Sequence, residues 1–250
     1  MNPRINEIRQ DLRNRFSRKD QPVSHFKLNP SATLLQKIDH TCLLPSATQA
    51  QIEKLCEEAK EYGFYSVCVA PSFLELAAQW LAGTSVKSIT VVGFPWGYQT
   101  TETKVFETME VLDLGTQEID MVLNIGKLKS GRLDEVFHDI FSVIERAKEI
   151  PVKVILETSM LDENEKIQAC ILSQMAGASY VKTSTGFGSS GAIVDDVKLM
   201  KEIVGDQLGV KASGGIKNFE IAEQMIQAGA DRIGTSSGVE IIKESHEKNR

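Results

Sequence analysis

The 250-residue chain has few cysteines, and they are not arranged as a metal site or a disulfide framework. Cys42, Cys56, Cys68 and Cys170 are scattered without a CxxC pair, and the four histidines are equally dispersed. Because structural zinc sites need closely spaced ligands, we expect a protein that works without metal or another cofactor. Unpaired thiols are typical of a reducing compartment, so a cytoplasmic location is expected.

The sequence also lacks a long apolar run and an excess of positive charge. No stretch is long enough to span a bilayer, and no apolar segment followed by small residues marks a secretory signal. The net charge of −6 argues against a nucleic-acid or anionic membrane surface. We therefore expect neither nucleic acid nor membrane as a partner, and an anionic ligand would need a locally positive pocket.

From residue 35 onward, short apolar runs alternate with longer amphipathic runs. This alternation predicts parallel strands that are joined by helices through right-handed crossovers. The predicted strands cover residues 37–43, 65–70, 88–93, 118–124, 152–157, 179–183, 209–212 and 232–235. The predicted helices cover residues 50–62, 71–83, 101–114, 133–149, 164–176, 192–204, 218–228 and a short segment from residue 237.

Eight strand–helix units predict an α/β fold of the TIM (β/α)8 barrel type. A barrel of this length is usually one domain, and here it covers residues 31–250. The alternative is a doubly wound open sheet. That alternative is disfavoured because no GxGxxG motif follows the first strand and because the unit count is eight.

An additional N-terminal helix is predicted to pack on this barrel. Ile5, Ile8, Leu12 and Phe16 fall on one face of a helix, as in a surface helix that buries an apolar stripe. The helix belongs to an extension of residues 1–30, in which residues 21–30 form the connector.

In a barrel of this kind, the chemistry is located at the carboxyl ends of the strands and in the loops that follow them. This rule excludes Lys87 and Lys153, which lie at the starts of their strands. The segments that satisfy the rule are residues 39–41, 120–124, 157, 182–186, 211–215 and 235–237.

Lys182 and Lys211 each end a short apolar run and precede a turn of small residues. They fall on the sixth and seventh strands, whose backbones would lie about 4.8 Å apart. If both side chains point inward, each raises the cost of charging the other, and burial adds to that cost. A lysine pKa lowered to roughly 7–8 leaves free amine that can attack a carbonyl carbon. The alternative is that one or both lysines are solvated charges at the barrel rim.

Asp120 is a carboxylate within an apolar run of the fourth strand, on the opposite face from Ile119 and Met121. Buried carboxylates are rare without a partner, and inward lysines across the barrel would be such partners. Asp120 is therefore a candidate proton relay. A purely structural ion pair with a lysine is the alternative.

The loops after the seventh and eighth strands carry small residues that let backbone amides approach an anion, which predicts a phosphate site. Ordinary turn glycines are the alternative for each loop taken separately. The first strand end is expected to meet substrate hydroxyls or to form a structural cluster, and Glu157 to pair with an active-site lysine. The candidate substrate-binding residues are Asp39, Thr41, Thr183, Gly186, Gly214, Gly215, Ser236 and Ser237.

Several of these motifs, taken in order, resemble those of the deoxyribose-phosphate aldolases. The resemblance is carried by Lys182-Thr183-Ser184-Thr185-Gly186, Lys211-Ala212-Ser213-Gly214-Gly215, Glu118-Ile119-Asp120-Met121-Val122, Val92-Gly93-Phe94-Pro95, Thr100-Thr101-Glu102 with Lys104, and Asn124-Ile125-Gly126. It extends from about residue 38 to residue 239.

The resemblance implies a class I aldolase that cleaves 2-deoxy-D-ribose 5-phosphate reversibly into D-glyceraldehyde 3-phosphate and acetaldehyde without metal. It implies that Lys182 is the Schiff-base nucleophile, that Lys211 lowers its pKa, and that Asp120 relays protons. The residues alone do not choose between the two lysines. A homo-oligomer, such as a dimer, is expected.

Two alternatives for the function remain open at this point. Trp96 and Tyr98 stand where family members usually have small or aliphatic residues, which leaves the acceptor preference open and permits another phosphorylated sugar as substrate. The second alternative is a barrel that binds a phosphosugar without catalysis, in which Lys182 would contact the phosphate.

Overall fold

The structure of the protein, a computed structural model, describes residues 3–16, 29 and 32–248. Eight parallel strands pair in chain order, and β1 pairs with β8 to close the barrel. The strands are β1 (Ile38–Cys42), β2 (Ser66–Val69), β3 (Lys87–Val92), β4 (Glu118–Val122), β5 (Val152–Ile155), β6 (Tyr180–Lys182), β7 (Gly209–Ser213) and β8 (Arg232–Thr235). The predicted (β/α)8 barrel is confirmed.

Helices follow the strands and surround the barrel. They are α1 (Pro3–Arg15), α2 (Gln49–Tyr62), α3 (Leu74–Leu81), α4 (Thr101–Asp113), α5 (Ile125–Lys129), α6 (Leu133–Ala147), α7 (Glu163–Ala176), α8 (Val194–Val204), α9 (Phe219–Gln227) and α10 (Gly238–Lys248). None of the described helices is both long enough and apolar enough to cross a bilayer.

Local sequence signals explain where the longer helices begin and end. Thr48 and Gln51 form a capping box at the start of α2, as Asp162 and Glu165 do at the start of α7. These reciprocal bonds satisfy backbone amides that have no partner within the helix. At the end of α2, Gly63 takes a left-handed conformation with φ of 70°, which costs glycine little because it has no Cβ.

The predicted N-terminal helix is present as α1 and packs on α7 and α8. Ile5 and Leu12 are buried in the apolar core. Arg9 donates from Nη1 to Oε1 of Gln174 at 2.6 Å and from Nη2 to the carbonyl of Ile203 at 2.5 Å. The predicted connector, residues 21–30, lies outside the described residues except at Asn29.

One helix is absent from the sequence prediction, the short α5 after β4. Asn124 caps it, because its Oδ1 accepts a hydrogen bond from the Lys127 amide at 3.1 Å. Five residues that include Gly126 are too few to show a helical period in the sequence. The capping residue Asn124 was the sequence feature that could have indicated this helix.

The two faces of the barrel wall pack against different surroundings. The large apolar core lies between the strands and the surrounding helices and includes Val181 and Val210. Because side chains alternate along a strand, the neighbours Lys182 and Lys211 point the other way, into the barrel. There they meet other charged side chains and a small apolar cluster that contains Cys68.

Candidate active site

Lys182 and Lys211 are paired in register on β6 and β7. Each Nζ donates to the same oxygen of Asp120, Oδ2, at 2.8 Å. Lys182 is 3% exposed, and Lys211 and Asp120 have no exposed surface. The structure therefore brings the three predicted catalytic residues into direct contact inside the barrel, rather than leaving the lysines as solvated charges at its rim.

A third lysine completes the contacts of Asp120. Lys153 donates to the other oxygen, Oδ1, at 2.9 Å and forms an ion pair with Oε2 of Glu118 at 2.6 Å. The sequence analysis excluded Lys153 because it lies at the start of its strand, yet the structure places it in contact with Asp120. It is paired in register with Asp120 and has no exposed surface. A charge inside the apolar run of β5 was the sequence signal.

A second layer of polar side chains lies below these residues, toward the amino ends of the strands. The guanidinium of Arg232 lies 3.4 Å from the ring centroid of Tyr65 and donates to the hydroxyl of Tyr180 at 3.2 Å. Its Nη1 donates to Oδ1 of Asp39 at 2.8 Å. Arg232 is only 3% exposed. The sequence analysis did not identify Arg232 or the two tyrosines as part of the site.

For Asp39 the sequence left two alternatives, contact with substrate hydroxyls or a structural cluster, and the structure places it in a buried cluster. Its Oδ2 forms an ion pair with Lys211 at 2.5 Å, and its Oδ1 also accepts a hydrogen bond from Ser66 at 2.6 Å. The carboxylate has no exposed surface. Asp39 therefore contacts Lys211 from below, and it is not among the residues that line the cavity described below.

The charges inside the barrel explain the state of Lys182. Among the described residues, ion pairs between nearly fully buried side chains join four cations to three carboxylates, namely Lys153, Lys182, Lys211 and Arg232 to Asp39, Glu118 and Asp120. Lys87, whose side chain is 33% exposed, adds an ion pair to Glu118 from the edge of this set. Within the buried set, a neutral Lys182 leaves three cations for three carboxylates. Burial lowers the pKa of Lys182, Asp120 opposes this effect, and the positive charge of Lys211 lowers the pKa further. Lys182 is thus the lysine of the pair that reaches its neutral form more readily.

The pKa shifts of Lys211 and Asp120, the neighbours of Lys182, favour their charged forms. Burial alone would lower the pKa of Lys211, but Asp120 and Asp39 outweigh it and raise the value. Burial would raise the pKa of Asp120, but Lys153, Lys182 and Lys211 together hold it well below its usual range. The site therefore contains a persistent carboxylate and a persistent ammonium beside one amine that can lose its proton.

A cavity of about 270 Å³ leads from the surface to Lys182. The loops at the carboxyl ends of β1, β6, β7 and β8 line it, as expected for a barrel of this kind. The predicted residues that line it are Thr41, Lys182, Gly186, Gly214, Gly215 and Ser236, together with Lys217. The lysine amine and both predicted phosphate loops thus share one cavity.

Two predicted substrate contacts do not line this cavity. Thr183 Oγ1 donates to the Ser213 carbonyl at 3.0 Å and accepts from the Ser213 amide at 3.0 Å. Its side chain therefore joins β6 to β7 and has no exposed surface. The amide of Ser237 donates to Thr235 Oγ1 at 2.9 Å, within the turn that leads into α10.

The turns after β6 and β7 are held against each other by close backbone contact. The Ala192 amide donates to the carbonyls of Ser213 and Gly214, at 3.1 Å and 3.0 Å. A Cβ on Gly191 would lie 2.1 Å from the Gly214 carbonyl oxygen, so a side chain cannot fit there. Gly214 and Gly215 have φ of 87° and 76°, a region that favours glycine.

Glu157 was expected to pair with an active-site lysine, but it binds the backbone and side chain of Thr185 instead. Its Oε2 accepts from the Thr185 amide at 3.0 Å and also from the Thr185 hydroxyl. Glu157 itself has a φ of 55°, in the left-handed region. It therefore fixes the turn that carries Gly186 and Phe187 at the cavity mouth.

Trp96 and Tyr98 lie in the loop after β3, exposed by 39% and 72%. They are not among the residues that line the cavity. The same loop reaches the mouth through Phe94, whose ring meets Phe187 edge to face at 5.4 Å. Any influence of the two exposed aromatic residues on the substrate must therefore act through this loop.

Metal ligands are not clustered in the part of the chain that the structure describes, which contains no group of three or more His, Cys, Asp or Glu side chains able to hold an ion. The family model described as DeoC/LacD family aldolase matches residues 33–244. The chain belongs to this aldolase family. The match includes all eight strands and every residue of the charged interior described above.

Curated relatives in this family are very similar to the chain. It is 56% identical over 214 residues to the deoxyribose-phosphate aldolase of Caldanaerobacter subterraneus subsp. tengcongensis, covering 84% of this chain and 93% of the relative. It is also 56% identical to the deoxyribose-phosphate aldolase of Streptococcus gordonii over 206 residues, covering 82% and 94%.

Solved structures of the family share the fold. A Coccidioides immitis protein that is provisionally named a deoxyribose-phosphate aldolase matches with a TM-score of 0.86 and 42% identity. The match covers 97% of this chain and 98% of that chain. The tetrameric deoxyribose phosphate aldolase of Aeropyrum pernix matches with a TM-score of 0.81 and 31% identity, covering 97% and 98%.

Proposed function

We propose that the protein is a class I aldolase that reversibly cleaves 2-deoxy-D-ribose 5-phosphate into D-glyceraldehyde 3-phosphate and acetaldehyde through a Schiff base on Lys182. The observation that carries this proposal is the position of Lys182, at the end of the cavity and bonded to the carboxylate that it shares with Lys211. The name of the relatives that are 56% identical supports the same reaction.

The reaction begins with the attack of the Lys182 amine on the C1 aldehyde of the open-chain sugar. The resulting carbinolamine loses water and becomes a protonated imine. This dehydration needs a proton donor for the departing hydroxyl. Asp120 and Lys211 form a hydrogen-bonded pair next to the amine, and they are the groups that supply and recover this proton.

The protonated imine then acts as the electron sink for carbon–carbon cleavage. The C3 hydroxyl loses its proton to the relay, the C2–C3 bond breaks, and its electron pair forms an enamine at C1 and C2. D-Glyceraldehyde 3-phosphate leaves. Protonation at C2 and addition of water then release acetaldehyde and restore the amine of Lys182.

The substrate phosphate binds at the opposite side of the cavity, between the turns after β7 and β8. Gly214, Gly215 and Ser236 line this side, and Lys217 adds a positive charge. The helix α10 begins at Gly238, and the amides at a helix start favour an anion. Phosphate binding here would hold C1 of the sugar toward Lys182.

A phosphosugar-binding barrel without catalysis is less well supported. In that function Lys182 would contact the phosphate directly. Instead, its Nζ is bonded to Asp120, and its side chain is 3% exposed at the end of the cavity. An anion-binding lysine gains nothing from burial beside a second lysine.

Turnover of 2-deoxyribose 5-phosphate, coupled to detection of triose phosphate, tests the proposed reaction. We expect activity without added metal and unaffected by a chelator. Cleavage rates for a panel of other phosphorylated sugars show which sugar the enzyme prefers. Faster cleavage of another sugar would refute 2-deoxyribose 5-phosphate as the substrate. Borohydride with acetaldehyde should trap an adduct on Lys182, and saturable binding without any adduct would indicate a binding protein.

We also propose that the protein forms a homodimer through the face of α4 and α6. On α4, Phe106 is 61% exposed and Met109 is 39% exposed. Both border a groove that is lined by the two helices and carries acidic Glu145 and basic Arg146, so it can complement a second copy of itself.

Sedimentation velocity should give a dimer for the wild type and a monomer for Phe106→Lys. Glu220→Lys, an exposed position on α9 away from this groove, is the control and should stay dimeric.

The cytoplasm is the proposed location. The described cysteines Cys42, Cys56, Cys68 and Cys170 are all free thiols, which supports a reducing compartment. Cell fractionation with an antibody to the protein tests this location, and recovery outside the cytoplasmic fraction would contradict it.

A further inference from the structure

Lys153 lies inside the barrel one layer below the reacting amine. Its partners in register are Asp120 on β4 and Tyr180 on β6, while Lys182 is paired with Ile155, two residues farther along β5. It has no exposed surface. Lys153 therefore cannot touch a substrate in the cavity, and it acts on the reaction only through another residue.

The contact with Asp120 fixes the orientation of that carboxylate. Lys153 holds Oδ1 at 2.9 Å, while Lys182 and Lys211 both donate to Oδ2 at 2.8 Å. Rotation of the carboxylate would break one set of these bonds or the other. The oxygen that faces the reacting amine is thus determined by Lys153.

Lys153 is also held from its other side by a second carboxylate. Its Nζ forms an ion pair with Oε2 of Glu118 at 2.6 Å. Burial would lower the pKa of Lys153, but Asp120 and Glu118 outweigh it and raise the value strongly. Lys153 therefore keeps its proton and does not pass protons along the barrel. It is a fixed positive charge behind Asp120.

We propose that Lys153 is a positioning residue of the aldolase reaction, which aims Asp120 Oδ2 at Lys182 and sets the pH at which Lys182 becomes nucleophilic. This proposal rests on the proposed function and adds a residue to its site. The charged and titratable groups that face Lys153 and Lys182 from the surrounding strands are Asp39 on β1, Cys68 on β2, Glu118 and Asp120 on β4, Tyr180 on β6, Lys211 on β7 and Arg232 on β8.

The direction of the effect follows from the charges. Without the charge of Lys153, Asp120 attracts the Lys182 proton more strongly, and the interior loses one of its cations. Lys182 then stays protonated to a higher pH. The acidic limb of the rate profile should therefore move upward. The opposite change, loss of the Glu118 charge, removes an anion and should move the same limb downward.

The first test compares Lys153→Met with Lys153→Arg. In the methionine variant, the acidic limb of kcat/KM against pH should move up by about 1 unit, and the limb should return toward the wild-type position in the arginine variant. The pH dependence of borohydride trapping of acetaldehyde on Lys182 should shift equally. This second measurement needs no sugar phosphate, so it tests Lys153 even if the proposed substrate fails.

Lys104→Met is the matched control. Lys104 is another fully buried lysine with a carboxylate partner, Asp139 at 2.6 Å, but it joins α4 to α6 outside the barrel interior. Its loss should lower the melting temperature without moving the pH limb. A Lys153→Met limb that is unchanged, or that moves no more than in Lys104→Met, would overturn the proposal.

Glu118→Gln keeps the proposal testable if Lys153→Met does not fold. It leaves Lys153 in place and removes the ion pair on the side away from Asp120. The trapping profile should move to lower pH. If it stays unchanged or moves to higher pH, then the interior charges do not set the reactivity of Lys182 and the inference is wrong.

Discussion

Lys182 and Lys211 bind one and the same oxygen atom, Oδ2 of Asp120, at equal distances of 2.8 Å. Two ammonium groups this close to one oxygen repel each other. Their burial adds to the free-energy cost of keeping both lysines charged. The second anion, Asp39, contacts Lys211 at 2.5 Å, so the proton is held preferentially on Lys211. This asymmetry supports Lys182 as the proposed nucleophile of the pair.

Replacing Lys182 with leucine should abolish turnover and retain the fold. The amine that forms the imine is lost, and activity should fall by more than about 10⁴-fold. Asp120 keeps Lys153 and Lys211 as partners, so no carboxylate is left unpaired. Turnover and circular dichroism measure the two effects. Activity above about 1% of wild type would show that another group is the nucleophile.

Lys211→Leu should move the acidic limb of the pH–rate profile to higher pH. The pKa of Lys182 is lowered first by burial and then by Lys211, so removing this positive charge raises the Lys182 pKa. Lys211→Arg keeps the charge and is the control. An acidic limb that coincides with the wild-type limb would exclude this role of Lys211.

Asp39→Asn should destabilise the protein and change how its stability depends on pH. Burial would raise the pKa of Asp39, but Lys211 and Arg232 lower it below its usual value. A lowered folded-state pKa adds stability above the unfolded value, about 3.9, which is lost as the pH falls through it toward the folded value. Breaking such a buried pair costs about 3–5 kcal/mol near neutral pH.

Thermal unfolding at several pH values measures this effect. The melting temperature of the wild type should fall below about pH 4 more steeply than that of Asp39→Asn, because the variant has one titrating carboxylate fewer. Asp206→Asn is the control, because the Asp206 side chain is fully exposed and its only described ion pair, to Lys201, is long at 3.8 Å. Parallel curves for wild type and Asp39→Asn would contradict the assignment.

Thr185→Val should weaken substrate binding more than it slows the chemical step. The change removes the hydroxyl that binds Glu157 and accepts from the Phe187 amide at 3.1 Å. Loss of these bonds releases the turn that carries Gly186 at the cavity. We expect KM to rise by about 10-fold, which corresponds to a typical hydrogen bond, with kcat little changed. Thr185→Ser is the control, and an equal KM in both variants would exclude the hydroxyl.

The strands were predictable because each is an apolar run that ends at a turn of small or polar residues. The prediction for β8 agrees with the structure at both ends, and that for β6 is longer by one residue at its start and one at its end. Chain order alone implied the closed barrel, because eight parallel units with crossover helices have no other compact arrangement that is as common. The short α5 was missed because it is too brief to show a period.

The site was predictable only in part. Lys182, Lys211 and Asp120 were found because each charge interrupts an apolar strand. Lys153 does so too, but it was excluded because its height in the barrel was judged from its place in its own strand. The stagger between strands sets that height, since Asp120 is the third residue of β4 and its partner Lys153 is the second of β5. Catalytic roles remain predictions.

The stack of Arg232 between Tyr65 and Tyr180 has a consequence for the route of substrate and products during turnover. These side chains fill the barrel beneath Lys182, and the described cavity reaches Lys182 from the side of the loops, so we expect substrate and products to pass through that mouth. In the proposed mechanism, we therefore expect the water of the final hydrolysis to enter from the side through which the triose phosphate leaves.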